Sequence, residues 1–149
     1  MTSRILVPLD GSPLGNKALS VALDDHTDAE IHLLHVIDPT EPGYSYVPMG
    51  VDAYDTPRHG SDEWYGRAEE HAEELFAEAR ERADDYEVAL TTETRVGRPS
   101  REIVSYAEEH AIDHVILGSH GRENESRSLV GSVAEGVIFR SPVRVTLVK

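Results

Sequence analysis

Short apolar runs alternate with segments of helical periodicity along the chain. Runs that are apolar throughout, or that alternate between apolar and polar residues, predict five β-strands: Arg4–Leu9, Glu30–Ile37, Glu87–Val96, His114–Leu117 and Val143–Val148. Between them, apolar residues at helical spacing predict four helices: one from Ser12-Pro13 onward, then Ser61–Asp84, about Ser100–His110 and Ser132–Arg140. This alternation is typical of an α/β fold in three layers, with helices on both faces of a five-stranded parallel sheet.

Asp38 to about Gly60 lacks this periodicity. The segment contains four prolines, three glycines and the three tyrosines Tyr44, Tyr46 and Tyr54. A loop of this length inside a compact domain is often functional. The tyrosines suit either a cover over a ligand or a variable exposed loop. No linker or internal repeat divides the chain, so we expect residues 1–149 to form one domain.

The charge balance narrows the classes of partner and the cellular setting. Lys and Arg total 14 against 28 Asp and Glu, so the formal net charge is −14, and Lys17 and Lys149 are the two lysines. Nucleic acid is an unsuitable partner because its phosphates need cations. Such a surface repels itself unless salt screens it, which favours a halophilic protein in a salt-rich cytoplasm over an ordinary acidic one.

Cysteine is absent, which excludes disulfide frameworks, cysteine-ligated metals and thiol nucleophiles. No apolar run approaches the roughly 20 residues that span a bilayer, and Met1–Val7 lacks the features of a signal peptide. We therefore expect a cytoplasmic protein that does not enter a membrane. His32 and His35 lie three apart on one strand and face opposite sides, so we expect structural roles for both and no shared metal.

Three glycines stand where a parallel sheet binds ligands, beyond the carboxyl ends of its strands. Gly118 closes the fourth strand, Gly121 follows after two residues, and Gly131-Ser132 arrives after nine more, where the next helix begins. Phosphates are bound by backbone N–H groups that no Cβ obstructs and by the positive end of a helix. This spacing predicts a polyphosphate site that needs no lysine, although turns and helix packing would also use glycines.

The segment Gly118-x2-Gly121-x9-Gly131-Ser132 resembles the ATP-binding signature of universal stress proteins. The likeness extends over nearly the whole chain and covers Ile5–Ser12, His35–Asp38, Gly97-Arg98-Pro99, Asp113–Gly118 and Ser141-Pro142-Val143. The loop Asp38–Gly60 has no recognisable match. The resemblance implies a Rossmann-like fold, similar to that of the adenine nucleotide alpha hydrolases, and a bound adenine nucleotide.

The resemblance also implies roles for individual residues. Asp10 would face the ribose or a water bound to Mg²⁺, which avoids placing a bare carboxylate against phosphates; a turn in which Asp10 accepts the N–H of Ser12 is the alternative. Residues near the adenine would be Pro8, Leu9 and the backbone of Val36. Residues around the phosphates would be Gly118, His120, Gly121, Gly131, Ser132 and Val133, with Arg122 and Arg127 as further sources of charge.

These expectations together predict a nucleotide-dependent stress-response protein. No nucleophile is paired with a base, so we expect occupancy by ATP, with AMP and ADP as alternatives, and little or no turnover. The resemblance implies a homodimer through the last strand, Val143–Val148, and an unidentified protein partner. The alternatives are a nucleotide-free dimeric interaction module and an enzyme that hydrolyses ATP slowly or transfers an adenylyl group.

Overall fold

The computed structural model describes residues 3–40, 58–120 and 130–149, along which strands and helices alternate. In chain order the elements are β1 (Arg4–Pro8), α1 (Pro13–Asp25), β2 (Glu30–Ile37), α2 (Asp62–Ala83), β3 (Leu90–Val96), α3 (Pro99–Glu109), β4 (His114–Gly118), α4 (Ser132–Arg140) and β5 (Arg144–Val148). The strands pair in parallel, in the order β3-β2-β1-β4-β5. The predicted fold class is confirmed.

Each face of the sheet is covered by a pair of helices, because successive strand residues point to opposite faces. Ile5 and Val7 of β1 pack in one cluster with α1 and α2, whereas Leu6 packs in a second cluster with α3 and α4. The interior strand β2 is buried from Ile31 to Ile37, as expected for a strand with both faces covered.

The helix starts follow the capping residues in the sequence. The Ser12 hydroxyl accepts the N–H of Gly15 at 3.1 Å, ahead of the proline at the first position of α1. The Ser61 hydroxyl accepts the N–H of Trp64 at 3.2 Å and starts α2. The apolar stripe predicted for α2 is buried along its whole length: Trp64, Ala68, Ala72, Leu75, Phe76, Ala79 and Ala83.

The start of the third strand differs most from the prediction. It begins at Leu90 and not at Glu87, because the preceding residues are still turning: Tyr86 N donates to Ala83 O, and Val88 N donates to Tyr86 O. Tyr44, Tyr46 and Tyr54 of the predicted loop lie outside the described residues. No described helix is long and apolar enough to cross a membrane.

Candidate functional site

The strand order places a crevice between β1 and β4. The chain passes from β1 to β2 on one side of the sheet and from β4 to β5 on the other. Such a reversal opens a crevice beyond the carboxyl ends of the two central strands. The predicted residues Pro8, Leu9 and Asp10 follow or end β1, and Gly118 and His120 end or follow β4. The fold therefore brings both predicted segments to the same crevice.

The turn after β1 is held by a buried carboxylate. Asp10 is 7% exposed, and its Oδ1 accepts the backbone N–H of Ser12 at 2.9 Å. Gly11 between them has φ +84°, a backbone conformation that residues with a side chain rarely adopt. The predicted turn role of Asp10 is thus present. The carboxylate stands at the positive end of α1, where negative charge is favourable.

His35 fixes the backbone that leads into this turn. Its ring is fully buried, and Nδ1 lies 2.7 Å from the carbonyl oxygen of Leu9. Leu9 N donates in turn to Leu34 O at 2.9 Å, so β2 holds both backbone groups of Leu9. The structural role predicted for His35 is consistent with this contact, although the contact itself is not predicted by the residue pattern. The available signal was a polar ring inside a fully buried strand, where it must find a partner.

Gly118 has a packing role that does not depend on a ligand. A Cβ atom at Gly118 would stand 2.8 Å from the Cβ of Leu14 and 3.1 Å from the backbone N of Gly15. Real Cβ atoms do not approach neighbours this closely, so α1 reaches its position over β4 only because residue 118 is a glycine. Gly118 was predicted either to bind phosphate or to allow helix packing, and the described structure supports helix packing directly.

Two backbone hydrogen bonds tie the end of β4 to its neighbours. Ser119 N donates to Val148 O at 2.8 Å, and Gly131 N donates to Ser119 O at 2.6 Å. The second bond brings the start of α4 beside the exit of β4. Ser119 is 2% exposed, and its hydroxyl lies 3.3 Å from Nδ1 of His120. The exit of β4 and the N-terminus of α4 therefore form one continuous border of the crevice.

The first turn of α4 faces this border without a side-chain cap. Gly131 is the N-cap and, having no side chain, leaves the first amides of α4 without a capping bond. Those amides belong to Ser132, Val133 and Ala134. Amides of this kind, together with the helix dipole, form a suitable site for an anion.

The predicted position Val36 borders the crevice from β2. Val36 lies in β2, and because Leu34 and Val36 are alternate residues, its backbone faces the side on which Leu34 bonds to Leu9. It therefore lies next to the crevice, just past the end of β1. Gly121 lies outside the described residues, as do Arg122 and Arg127.

The described residues contain no group of three or more His, Asp or Glu side chains that could hold a metal ion. A cation at the crevice would have the buried carboxylate of Asp10 facing one of its bound waters, with phosphates as direct ligands. That arrangement suits Mg²⁺, which commonly keeps several waters and binds the phosphates of its substrate.

A second polar cluster lies on the other face of β2, away from the crevice. His32 is 6% exposed; its Nδ1 lies 2.6 Å from the Tyr106 hydroxyl, and its Nε2 lies 3.1 Å from Glu30. The ring of His110 lies beside that of Tyr106, with the ring centroids 4.0 Å apart and the planes tilted by 48°. Burial lowers the pKa of His32, which Glu30 partly opposes, and burial raises the pKa of Tyr106 to about 12. His32 and His35 thus serve opposite faces, as their spacing predicts.

Comparison with known proteins identifies relatives along the full length. The model of the universal stress protein family matches residues 1–149. The universal stress protein MJ0577 of Methanocaldococcus jannaschii is 30% identical over 161 residues, covering 100% of this chain and 96% of the relative. Its solved structure superposes with a TM-score of 0.79 and 32% identity, covering 100% of this chain and 96% of that one.

Two solved structures of more distant proteins carry nucleotides. A universal stress protein in complex with cAMP superposes with a TM-score of 0.64 at 21% identity, covering 99% of this chain and 97% of that one. A universal stress protein family protein from Arabidopsis thaliana, with AMP bound, gives a TM-score of 0.67 at 14% identity, covering 99% and 91%. At these identities the likeness shows the shared fold alone.

Proposed function

The chain belongs to the universal stress protein family, and from this premise we propose that it binds an adenine nucleotide in the crevice between β1 and β4. The observation that carries the proposal is the bond from Gly131 N to Ser119 O, because it sets the uncapped start of α4 beside the exit of β4. The nucleotides in two proteins of the same fold, cAMP and AMP, support an adenine ligand. We propose ATP as the physiological one, with Mg²⁺.

In this proposal the ligand lies along the crevice from β1 to α4. Pro8, Leu9 and the backbone of Val36 border the adenine. Asp10 faces the ribose or water on Mg²⁺, since its Oδ1 already accepts the Ser12 N–H and a bare carboxylate would repel phosphate oxygens. Residues that surround the phosphates are Gly118, His120, Gly121, Gly131, Ser132 and Val133.

Isothermal titration calorimetry with ATP, ADP and AMP, in molar KCl with and without Mg²⁺, tests the site. We expect a Kd in the micromolar range, about −8 kcal/mol of binding free energy, with the tightest binding for ATP with Mg²⁺. Asp10→Asn keeps an oxygen for the Ser12 N–H but removes the charge, so it should weaken binding about tenfold and reduce the effect of Mg²⁺.

The matched control is Asp25→Asn, which makes the same change of charge at an exposed residue at the far end of α1. It should leave the affinity unchanged. Equal losses in the two variants would mean that Asp10 acts only through net charge. Absence of heat with all three nucleotides would refute the nucleotide site.

We propose further that the protein acts through occupancy and not through turnover, in the cytoplasm, as one domain. An assay of released phosphate and pyrophosphate tests this against the enzyme alternative. Repeated turnovers of phosphate release, or pyrophosphate release in the presence of an acceptor, would favour the enzyme alternative. Release at about one per second or faster, the range of ordinary enzymes, would overturn action through occupancy.

We also propose a homodimer formed through β5, which is one edge of the described sheet.

The alternative to the nucleotide-binding function is a dimeric interaction module that carries no nucleotide. Mass spectrometry of protein purified without added ligand separates the two, because a co-purifying adenine nucleotide is incompatible with that module.

A further inference from the structure

The outer side of β3 has backbone groups that the described sheet does not use. β3 is the edge opposite β5 and, within residues 3–40, 58–120 and 130–149, pairs with β2 alone. Ala89 and Gly97 hydrogen-bond to β2. Because backbone direction alternates along a strand, the even-numbered residues from Leu90 to Val96 direct their N–H and C=O groups outward. Such a row is a template for another strand.

A groove of about 810 Å³ runs between this edge and α2. Its floor is apolar, formed by Ile37 and by Val96, which is 53% exposed. Thr94 and Val96 line the groove with their side chains while their backbone faces the open edge. The α2 wall consists of a glycine and four glutamates: Gly66, Glu69, Glu70, Glu73 and Glu74.

Among the described residues, nothing packs against Gly66 in a way that requires a glycine. Gly66 lies inside α2, where glycine is a poor helix former, and a Cβ atom built on it meets no atom of the described residues within 4 Å. The effect of the missing side chain is a lower wall at this point of the groove. The glycine therefore widens the groove at a cost to the stability of the helix.

The wall also carries charge that is not neutralised. Within the described part of the chain, none of the four glutamates forms an ion pair, although Glu63 of the same helix pairs with Arg67 at 3.0 Å. Like charges three and four residues apart on a helix repel. A cationic group in the groove would relieve this repulsion, and an apolar one beside it would cover Val96.

We propose that this edge and groove bind an extended, basic segment of a partner protein. The segment adds to the sheet beside β3 through main-chain hydrogen bonds, and alternate Lys or Arg side chains lie against the glutamates of α2, as in β-strand addition. The site lies at the edge of the sheet opposite β5, so it is compatible with the proposed dimer. Its floor residue Ile37 directly follows Val36, so the groove adjoins the proposed nucleotide site at that point.

The test uses a short peptide of alternating lysine and valine with blocked ends, titrated into ¹⁵N-labelled protein at moderate salt. Amide shifts should change along Leu90–Val96 and along α2 from Gly66 to Glu74. A second peptide of the same sequence, with every backbone amide N-methylated, has the same charge but lacks N–H donors on both of its edges. It should bind about tenfold more weakly or worse. Equal affinity of the two peptides would overturn strand addition.

A pair of double variants separates the groove from diffuse attraction to an acidic protein. Glu69→Gln with Glu73→Gln should weaken binding of the lysine–valine peptide about tenfold. Glu78→Gln with Glu81→Gln makes the same change of charge on exposed positions of α2 outside the groove, and should leave binding unchanged. Equal losses would overturn the proposal.

Two further outcomes would also overturn it. One is the absence of shift changes at β3 up to millimolar peptide. The other is strong protection of the outward amides of β3 from hydrogen exchange in the free protein, because another part of this chain or a second copy would then already pair there. Dependence of that protection on protein concentration would identify a second copy.

Discussion

The carbonyl oxygen of Leu9 is bonded to Nδ1 of His35 at 2.7 Å, inside the sheet. The bond joins β2 to the chain that leaves β1, immediately before the turn in which Asp10 accepts the N–H of Ser12. A residue in the middle of the core thus sets the position of the acidic residue that borders the crevice. Stability and the proposed ligand site are connected through this one contact.

Replacement of His35 by leucine is expected to affect both. His35→Leu keeps the bulk of the core but leaves the Leu9 carbonyl without this partner, which costs about 1–3 kcal/mol of unfolding free energy. Urea denaturation measures the loss, and calorimetry should show weaker nucleotide binding in protein that is still folded. Wild-type stability in His35→Leu would show that the Leu9 carbonyl is satisfied in another way.

Alanine at two glycines should change stability in opposite directions. Gly118→Ala forces a Cβ to within 2.8 Å of Leu14, and overpacking of this kind costs about 1–3 kcal/mol. The Cβ of Gly66→Ala meets no atom of residues 3–40, 58–120 or 130–149 within 4 Å, so this change should stabilise α2 by about 0.5–1 kcal/mol. Thermal and urea unfolding of both variants check the pair. A neutral Gly118→Ala would contradict the close approach of α1 to β4.

Stability should fall as the pH drops below the ordinary histidine pKa of 6.5. Burial lowers the pKa of His32, so the native state binds fewer protons at this ring than the unfolded state does. The contribution is fully present above 6.5 and is lost as the pH falls toward the native pKa. Burial lowers the pKa of His114 as well, in the same direction.

Urea denaturation between about pH 7.5 and about pH 5.5 measures this dependence. His32→Gln retains groups that can hydrogen-bond to Tyr106 and Glu30 but does not titrate, so its stability should change less over this range. An identical slope in His32→Gln and the wild type would place the titration elsewhere.

The proposed dimer can be tested with a proline in β5. Val148 O accepts a bond from the β4 side, so the N–H of Val145, an odd-numbered residue, points to the outer edge. Val145→Pro removes that donor and keeps most of the apolar volume that packs against α3 and α4. Aspartate at this position would instead bring a charge into that cluster.

Sedimentation velocity should show monomers of Val145→Pro and dimers of the wild type. Cooperative thermal unfolding of the variant establishes that the fold is retained. A variant that sediments like the wild type would contradict pairing through β5.

The melting temperature should rise between dilute buffer and molar KCl. A net charge of −14 destabilises the compact state, and salt screens this repulsion within a few ångströms. Equimolar sucrose, which stabilises proteins without screening charge, provides the control. A melting temperature that stays flat in KCl would favour an ordinary acidic protein.

The fold could be predicted from the sequence because local signals agree along the chain. The Ser12-Pro13 start of α1, the buried stripe of α2 and the limits of β2 and α4 follow from residue pattern alone. The predicted start of β3 was wrong because the backbone N–H groups of Tyr86 and Val88 form hydrogen bonds within turns. The alternation of apolar and polar residues does not reveal such bonds. The crevice followed from topology, since parallel strands with crossover helices have few arrangements.

Contacts between distant segments could not be predicted in this way. The bond from His35 to Leu9 depends on the register of β1 against β2, and the approach of Leu14 to Gly118 depends on how α1 crosses β4. Neither has a local pattern. The groove beside β3 could not be predicted either, because a row of glutamates on a helix is typical of a solvated helix face.

The packing of Leu14 against Gly118 bears on how signatures in this family are used to annotate genes. In this chain, glycine at the first position of the motif is required for the opening helix to lie on the sheet, whether or not a ligand is bound. That position therefore records architecture, and evidence for a ligand must come from the later positions of the motif.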